Sequence, residues 1–396
     1  MTEAQEVQLG EQAFGFQQQA AGGQYVIDPD LSAYVATIGR KLAKYSTRSH
    51  LPYEFVVLND STPNAWALPG GKIAINRGLL NVLKNEAELA AVLAHEIVHA
   101  DAAHSAQSVS LGQGISLLQV GADIILQSNV PSSVGQQVGQ LAIGGLGAAG
   151  QATYSRSKEL EADEYGIRYM VAAGYDPQAA VTLQQTFVAL SGGRQAGFAR
   201  YFQSHPPSIE RVRANEQLAW SYPGGGVLGE SAYRLQTSKL RQRQPAYEKG
   251  DKARSALSQK DYKTALALAE SAIKLEPAEA SFYETKGIAL ENLNRSKDAL
   301  TAYDKSVQLN GNYYSPLLRR GLLNKRLQSN TRAKEDLLAS AELAPSQLAY
   351  FSLGELEESF NNCRQAKVYY DRAAKARGEH TQAAQQRLAA LQLRCK

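Results

Sequence analysis

The segment that decides the fold is His95-Glu96-Ile97-Val98-His99. On an α-helix, two histidines four residues apart lie about 40° from each other around the axis, so both rings can reach one metal ion. The flanking sequence favours a helix, because Asn85 followed by Glu88 is typical of a capping box and apolar residues recur at helical spacing. The segment therefore predicts a metal-binding helix.

Glu96 lies on the predicted core-facing stripe of this helix, between the two histidines. Burying a carboxylate with two imidazoles is costly unless a cation neutralises them, and a divalent ion would do so. The spacing is also typical of zinc hydrolases, in which the glutamate is placed to polarise a metal-bound water. The alternatives are a polar patch on an exposed helix, or core histidines satisfied by local hydrogen bonds.

His104 follows His99 by five residues on the same predicted helix, and no helix-breaking glycine lies between them. If the helix continues, His104 is turned about 140° away from His99. We therefore expect His104 to be a structural group or a partner of a ligand, and not a third histidine ligand.

A catalytic zinc ion needs a third protein ligand and an open position for water. The best candidate lies in the segment from Ser155 to Gly166, where Glu159 and Asp163 share a helical face and Glu161 points elsewhere. An acidic cluster on a helix is usually solvated. Here it supplies the partner that the histidine helix lacks.

These features resemble the gluzincin family of the CAAX prenyl endopeptidases, the mitochondrial inner-membrane stress protease and the bacterial β-barrel assembly-enhancing protease. The resemblance covers most of residues 1 to about 220. Beside the two metal-binding elements, it rests on segments in the family's order: Asn64–Gly71, Lys72–Leu79, Gly174–Pro177 and Ser204–Arg211. It implies one zinc ion held by His95, His99 and Glu159, with Glu96 as the catalytic base. It also implies Asp163 as a helper, either a proton donor or a group that orients a ligand histidine.

His205 and Arg211 lie in the last of these segments. A histidine before two prolines is most often a loop residue, and an arginine six residues later usually pairs with a surface acid. The functional hypothesis is that both return to the cleft and stabilise the oxyanion of the tetrahedral intermediate. His205 is also a candidate to cap the zinc in a resting state.

The expected reaction is endopeptidase hydrolysis of unfolded or extended protein segments. The ranges 53–59 and 72–77 alternate as strands do, and Asn64 to Leu68 is expected to be an exposed edge that binds a substrate as an added strand. Nothing in the sequence defines a side-chain preference.

A Gly/Ser/Gln/Ala-rich interval at about 105–153 separates the two metal-binding elements. It predicts either two ordinary helices beside the site or a mobile lid. Its apolar runs are too short for a transmembrane span, although peripheral contact with a membrane surface is compatible with them.

From residue 246 onward the sequence has an internal period. Small residues recur at 33 or 34 positions, and Pro277, Gly311 and Pro345 end successive units; the recurring residues are Ala265, Ala299, Ala333 and Ala366, and Ala253, Gly287, Gly321 and Gly354. The pattern resembles tetratricopeptide repeats. The expected fold is therefore mainly α with a small β-sheet: a metalloprotease domain at 1–240, then an α-solenoid at 246–396 of four repeats and a final helix from Thr381 to Leu393.

The net charge is +4 over 396 residues, with the part from 246 onward at +6 and the part before it at −2. This mild bias, with no recognised module and no basic stripe, does not support nucleic-acid binding. Cys363 begins one of the last two predicted helices and Cys395 ends the other, so the two cysteines should lie close together. The sequence is compatible with a disulfide between them and with two free thiols.

Residues 1–16 lack the apolar core of a signal peptide, yet the resemblance begins at about Glu6. We therefore expect a periplasmic protein whose leader is removed or omitted. The leading hypothesis is a zinc endopeptidase that acts on misassembled outer-membrane proteins, with repeats that dock substrates or envelope assembly machinery. The competing hypothesis is a non-proteolytic chaperone or adaptor with a closed or latent metal site.

Overall fold

The computed structural model describes residues 1–104, 154–191, 198–376 and 378–394. The chain divides into two compact units, and along the later part of the sequence the division falls between Gln242 and Arg243. The described residues are mostly helical, with one three-stranded sheet in the first unit. The predicted fold class is confirmed.

The first unit places three strands among its helices. The strands are β1 (Glu54–Leu58), β2 (Ala65–Leu68) and β3 (Lys72–Asn76). The helices are α1 (Glu3–Ala20), α2 (Pro29–Ala43), α3 (Arg77–Leu80), α4 (Glu86–Asp101), α5 (Arg156–Ala172), α6 (Gln178–Ser191), α7 (Ala199–Ser204), α8 (Ile209–Trp220) and α9 (Glu230–Gln236). A longer helix, α10 (Ser238–Ser258), contains the division between the units.

The sheet has the order β1-β3-β2, with β1 parallel and β2 antiparallel to β3. β2 is therefore an edge strand, as predicted, but the expectation that it is exposed was wrong. All four of its residues are buried. Trp66 explains this difference, because its ring packs edge-on against Phe14 of α1 at 5.8 Å in an apolar cluster that covers the strand.

The metal-binding helix α4 lies in the core of the first unit. Every residue from Ala87 to Asp101 is buried, and the helix packs against the sheet, α2, α5 and α6. Its N-terminus is capped as expected, since Asn85 accepts a hydrogen bond from the Glu88 amide at 2.8 Å. The Glu88 carboxylate accepts from the Lys84 amide instead of closing a capping box on Asn85.

The prediction that α4 continues to His104 was wrong. The helix ends at Asp101, and Ala103 has a left-handed backbone with φ of 52°. The Asp101 carboxylate accepts hydrogen bonds from the amides of Thr47 and Arg48 and from the Tyr169 hydroxyl, which anchors the helix end to other elements.

The second unit consists of successive packed helices, as the period predicts. After α10 they are α11 (Tyr262–Leu275), α12 (Ala280–Asn292), α13 (Ser296–Leu309), α14 (Tyr314–Arg326), α15 (Asn330–Leu343), α16 (Gln347–Ser359), α17 (Cys363–Lys375) and α18 (Thr381–Arg394). Helix α12 packs closely against α13, α14 against α15, and α16 against α17, which are the second, third and fourth helix pairs of the repeats. Pro277, Gly311 and Pro345 lie in the connections between successive repeats.

The repeated small residues lie where two helices approach closely. Gly287 faces the ring of Tyr303, and Gly354 faces the ring of Tyr370. The repeated alanines of the second helices are completely buried. Tetratricopeptide-type packing is therefore confirmed.

Three further predictions concern regions at the limit of the described residues. The predicted helices or lid at 105–153 lie outside those residues. Cys363 is a disulfide cysteine, and Cys395 also lies outside them. No helix in the described ranges is both long and apolar enough to cross a membrane.

Candidate metal centre

Two adjacent helices bring the three predicted ligands together. From α4, the Nε2 atoms of His95 and His99 lie 3.0 Å apart. From α5, the Glu159 carboxylate approaches both rings, with Oε1 at 3.2 Å from His99 Nε2 and Oε2 at 3.5 Å from His95 Nε2. All three side chains are buried. The i,i+4 spacing on α4 therefore presents two imidazole nitrogens to one carboxylate.

His205 joins this group at the end of α7. Its Nδ1 atom lies 3.2 Å from His95 Nε2 and 3.1 Å from Glu159 Oε1. One donor atom from each of these four residues lies within 4.8 Å of the other three. The arrangement can hold a metal ion, and the loop residue before Pro206 does return to the cleft.

Asp163 and Arg211 lie directly behind the ligand group. Asp163 Oδ1 is 2.9 Å from His95 Nδ1, the ring nitrogen that faces away from the other ligands. Arg211 of α8 donates from Nε and Nη2 to Asp163, each at 2.7 Å, and its Nη1 lies 2.8 Å from Glu159 Oε2. Arg211 is thus committed to carboxylates in this structure and is not directed at a substrate oxyanion.

These contacts determine how the carboxylates ionise. Burial would raise the pKa of Asp163, but the Arg211 guanidinium outweighs it and holds this pKa below its usual value. Burial would also raise the pKa of Glu159, but the surrounding histidines outweigh it and hold this pKa well below the usual range. Both groups are therefore anionic at neutral pH.

The pKa of His95 shows that the centre attracts positive charge. Burial lowers the pKa of His95, yet the Glu159 and Asp163 carboxylates outweigh it and raise the value to about 10. His99 responds to burial instead, with a pKa well below the usual one, which leaves a neutral ring suited to ligation. A divalent cation would supply the positive charge that these carboxylates demand.

Glu96 provides a further test of whether a metal fits. Its side chain is fully buried, and neither carboxylate oxygen has a hydrogen-bond partner among the described residues. His205 Nε2 lies 3.5 Å from Oε1 of Glu96. A buried carboxylate without partners is costly in a site of protein atoms alone. Its position beside three nitrogen and oxygen ligands fits a centre that holds a metal and a water molecule.

Two aromatic residues of the site were missed by the sequence analysis. The Tyr154 ring stacks on His99 with centroids 3.9 Å apart, and the buried Tyr201 ring lies 5.0 Å from that of His205. Tyr154 precedes the acidic helix, and Tyr201 precedes His205 by four residues. The four-residue spacing of Tyr201 and His205 could have indicated that the two side chains share a helical face.

Comparison with known proteins supports a metallopeptidase. The profile of peptidase family M48 matches residues 29–219, which include all seven predicted site residues. The metalloprotease YcaL of Escherichia coli is 32% identical over 181 residues, which are 44% of this chain and 67% of the relative. The chain belongs to peptidase family M48. The predicted resemblance is thereby confirmed.

Two other relatives are matched over a smaller share of their own length. The mitochondrial metalloendopeptidase OMA1 of Schizosaccharomyces pombe is 37% identical over 185 residues, which cover 46% of this chain and 52% of the relative. The beta-barrel assembly-enhancing protease of Yersinia pestis is 32% identical over 179 residues, which cover 44% and 36%. The chain thus spans about half of the first relative and about a third of the second.

A solved tetratricopeptide-repeat structure also overlaps this M48 chain. The Arabidopsis OM64 TPR domain is 22% identical, with a TM-score of 0.29, and the overlap covers 30% of this chain and 98% of that domain.

Proposed function

We propose that this protein is a zinc-dependent endopeptidase. The observation that carries the proposal is the convergence of His95, His99 and Glu159 beside a buried Glu96 that has no hydrogen-bond partner among the described residues. Two imidazoles and one carboxylate match the ligand set of catalytic zinc sites that keep one position open. Family membership supports peptide hydrolysis as the reaction.

The site residues divide the work between ligation and proton transfer. His95, His99 and Glu159 would hold the ion, and zinc when bound supplies a Lewis acid that activates water and polarises a carbonyl. Glu96 takes the proton of the attacking water and passes it to the leaving nitrogen. Asp163 accepts a hydrogen bond from His95 Nδ1, which turns Nε2 toward the centre. Arg211 donates two hydrogen bonds to Asp163 and keeps that carboxylate ionised.

His205 would act as a cap on the resting site. Its Nδ1 atom lies among the ligand atoms, so it competes for the position that a substrate or water would take. A substrate that displaces this ring would leave His205 beside the cleft, where an imidazole can stabilise an oxyanion. This arrangement also favours the second candidate, a chaperone or adaptor whose metal site stays latent.

The substrates proposed are unfolded or extended protein segments, and especially misassembled outer-membrane proteins in the periplasm. Similarity to a beta-barrel assembly-enhancing protease supports this class. The helical repeats of the second unit suit docking of protein segments or of envelope assembly machinery.

The test is zinc content together with cleavage of an unfolded protein, with and without a chelator. Glu96→Gln should retain zinc and lose at least about 100-fold in cleavage rate, because the general base is removed. Glu164→Gln, on the exposed face of α5, should retain both properties. A fully active Glu96→Gln protein contradicts the mechanism, and wild-type protein without metal contradicts the proposed function.

The same measurements separate the two candidates and test the cap. The chaperone would be favoured if the wild type and all variants fail to cleave the substrate but still suppress its aggregation. His205→Ala that changes neither zinc binding nor cleavage would remove His205 from the centre.

A further inference from the structure

His104 lies behind the ligand His99, on the side away from the other ligands. The Nδ1 atoms of the two rings are 3.0 Å apart, and His104 is only 2% exposed. On its other side, His104 Nε2 lies 3.3 Å from Oε2 of Glu161. Glu161 is on α5, between the ligand Glu159 and Asp163, and its side chain is 46% exposed. The three groups form a row from the centre to the surface.

Hydrogen-bond chemistry fixes the direction of this row. To bind a metal through Nε2, a neutral His99 must carry its proton on Nδ1. That N–H can donate only if His104 Nδ1 is the acceptor, which places the proton of a neutral His104 on Nε2. The Nε2–H then points at the Glu161 carboxylate, which can only accept when ionised. Each atom in the row therefore has one consistent role.

We propose that His104 and Glu161 form an outer hydrogen-bond chain that orients His99 and holds it in the tautomer that binds metal. The inference rests on the proposed zinc site and deepens it. His104 and Glu161 are positioning residues, since neither approaches the reacting atoms.

The proposed chain has a counterpart on the other histidine. His95 Nδ1 is held by Asp163, which is braced by Arg211. The helix α5 thus supplies a ligand for the metal and a carboxylate for each histidine, directly in one case and through His104 in the other. The break in α4 after Asp101 explains why His104 can reach His99, which a continuous helix would prevent.

Partners that hold a ligand histidine typically contribute 10- to 100-fold to metal affinity. His104→Leu would leave the His99 Nδ1–H buried without an acceptor and should weaken zinc binding by about this factor. His104→Asn can place a carbonyl oxygen near the Nδ1 position and should recover part of the loss. Glu161→Gln should weaken binding by a smaller factor, because an acceptor oxygen remains.

The experiment measures the zinc dissociation constant of the full-length protein by competition with a chromophoric chelator. Glu164→Gln is the matched control, since Glu164 is on the same helix, is equally exposed and pairs with Arg168. It should bind zinc as the wild type does. Circular dichroism of the metal-free proteins verifies that each variant is folded.

A folded His104→Leu protein with wild-type zinc affinity would overturn the inference. If that variant does not fold, nitrogen-15 chemical shifts of the zinc-loaded wild type decide, because they distinguish the two imidazole tautomers. His104 protonated at Nε2 and His99 protonated at Nδ1 support the chain, and the opposite tautomer of either overturns it. Wild-type protein that binds no zinc would instead refute the proposed function itself.

Discussion

Among single residues, Arg211 is a buried cation placed behind the metal centre. Its side chain is 3% exposed and contacts the carboxylates of both Asp163 and Glu159. Burial would lower the pKa of Arg211, but these carboxylates outweigh it and raise the pKa above its ordinary value. The arginine is therefore a permanent cation that offsets two buried anions behind the ligand histidines.

We expect Arg211→Gln to lower the free energy of unfolding by about 3 kcal/mol, because removal of one partner leaves buried charge uncompensated. Urea denaturation of the metal-free protein, followed by tryptophan fluorescence, measures the loss. Arg213→Gln is the matched control, because Arg213 is exposed on the same helix α8. Equal stabilities of the two variants would show that Arg211 does not balance these carboxylates.

Residue-level prediction succeeded where the signal was local. The spacing of His95 to His99 and of Glu159 to Asp163 follows from helical pitch, so sequence alone could place each pair on one face. The place of His205 could not be derived this way, because Nδ1 reaches Glu159 only through the packing of α7. The partners of Arg211 and the stacking of Tyr154 on His99 depend equally on tertiary contacts.

At the scale of elements, helix beginnings were easier to predict than helix ends. Asn85 caps α4 through a contact three residues away, which the sequence displays. The end of α4 depends on Asp101, whose partners Thr47 and Tyr169 lie 54 and 68 residues away along the chain. Side-chain propensity cannot reveal such contacts, and the error about His104 follows from them.

The repeat helices show the opposite case, in which periodicity alone identified close contacts. At position 354, an alanine Cβ would lie 2.6 Å from Cε1 of the Tyr370 ring. That ring is fully buried, and its hydroxyl donates to Glu358 at 2.7 Å, so it has little freedom to move. The periodic small residue therefore indicates where α16 and α17 are in close contact; this contact is called the seam.

We expect Gly354→Ala to destabilise the repeat unit by about 1–2 kcal/mol, because overpacking outweighs the gain in helix propensity. The urea midpoint measured by far-UV circular dichroism tests this. Gly311→Ala is the control, since its Cβ would meet only the Val307 carbonyl at 3.4 Å, and it should change stability little. A Gly354→Ala protein as stable as this control would show that the seam is loosely packed.

For the whole molecule, each unit has apolar clusters of its own. One cluster in the first unit includes Trp66, and those of the repeat unit are built from its own helices. Both tryptophans of the sequence, Trp66 and Trp220, belong to the first unit. Tryptophan fluorescence therefore reports on the unit with the metal centre, whereas circular dichroism reports on the helices of both.

We expect zinc removal to destabilise the first unit selectively, because a ligand stabilises only the unit that binds it. With free zinc at about a thousand times the dissociation constant, this linkage amounts to about 4 kcal/mol, or a fall of roughly 10 °C in the melting temperature. A chelator should lower the fluorescence-detected transition by this amount and leave the remaining circular-dichroism transition in place.

Glu159→Gln, which lacks one ligand, should melt early without chelator and shift little when it is added. Gly354→Ala should give the converse result, with only the circular-dichroism transition lowered. If chelation moves both transitions together, the two units unfold as one cooperative body and the separation of their stabilities is wrong.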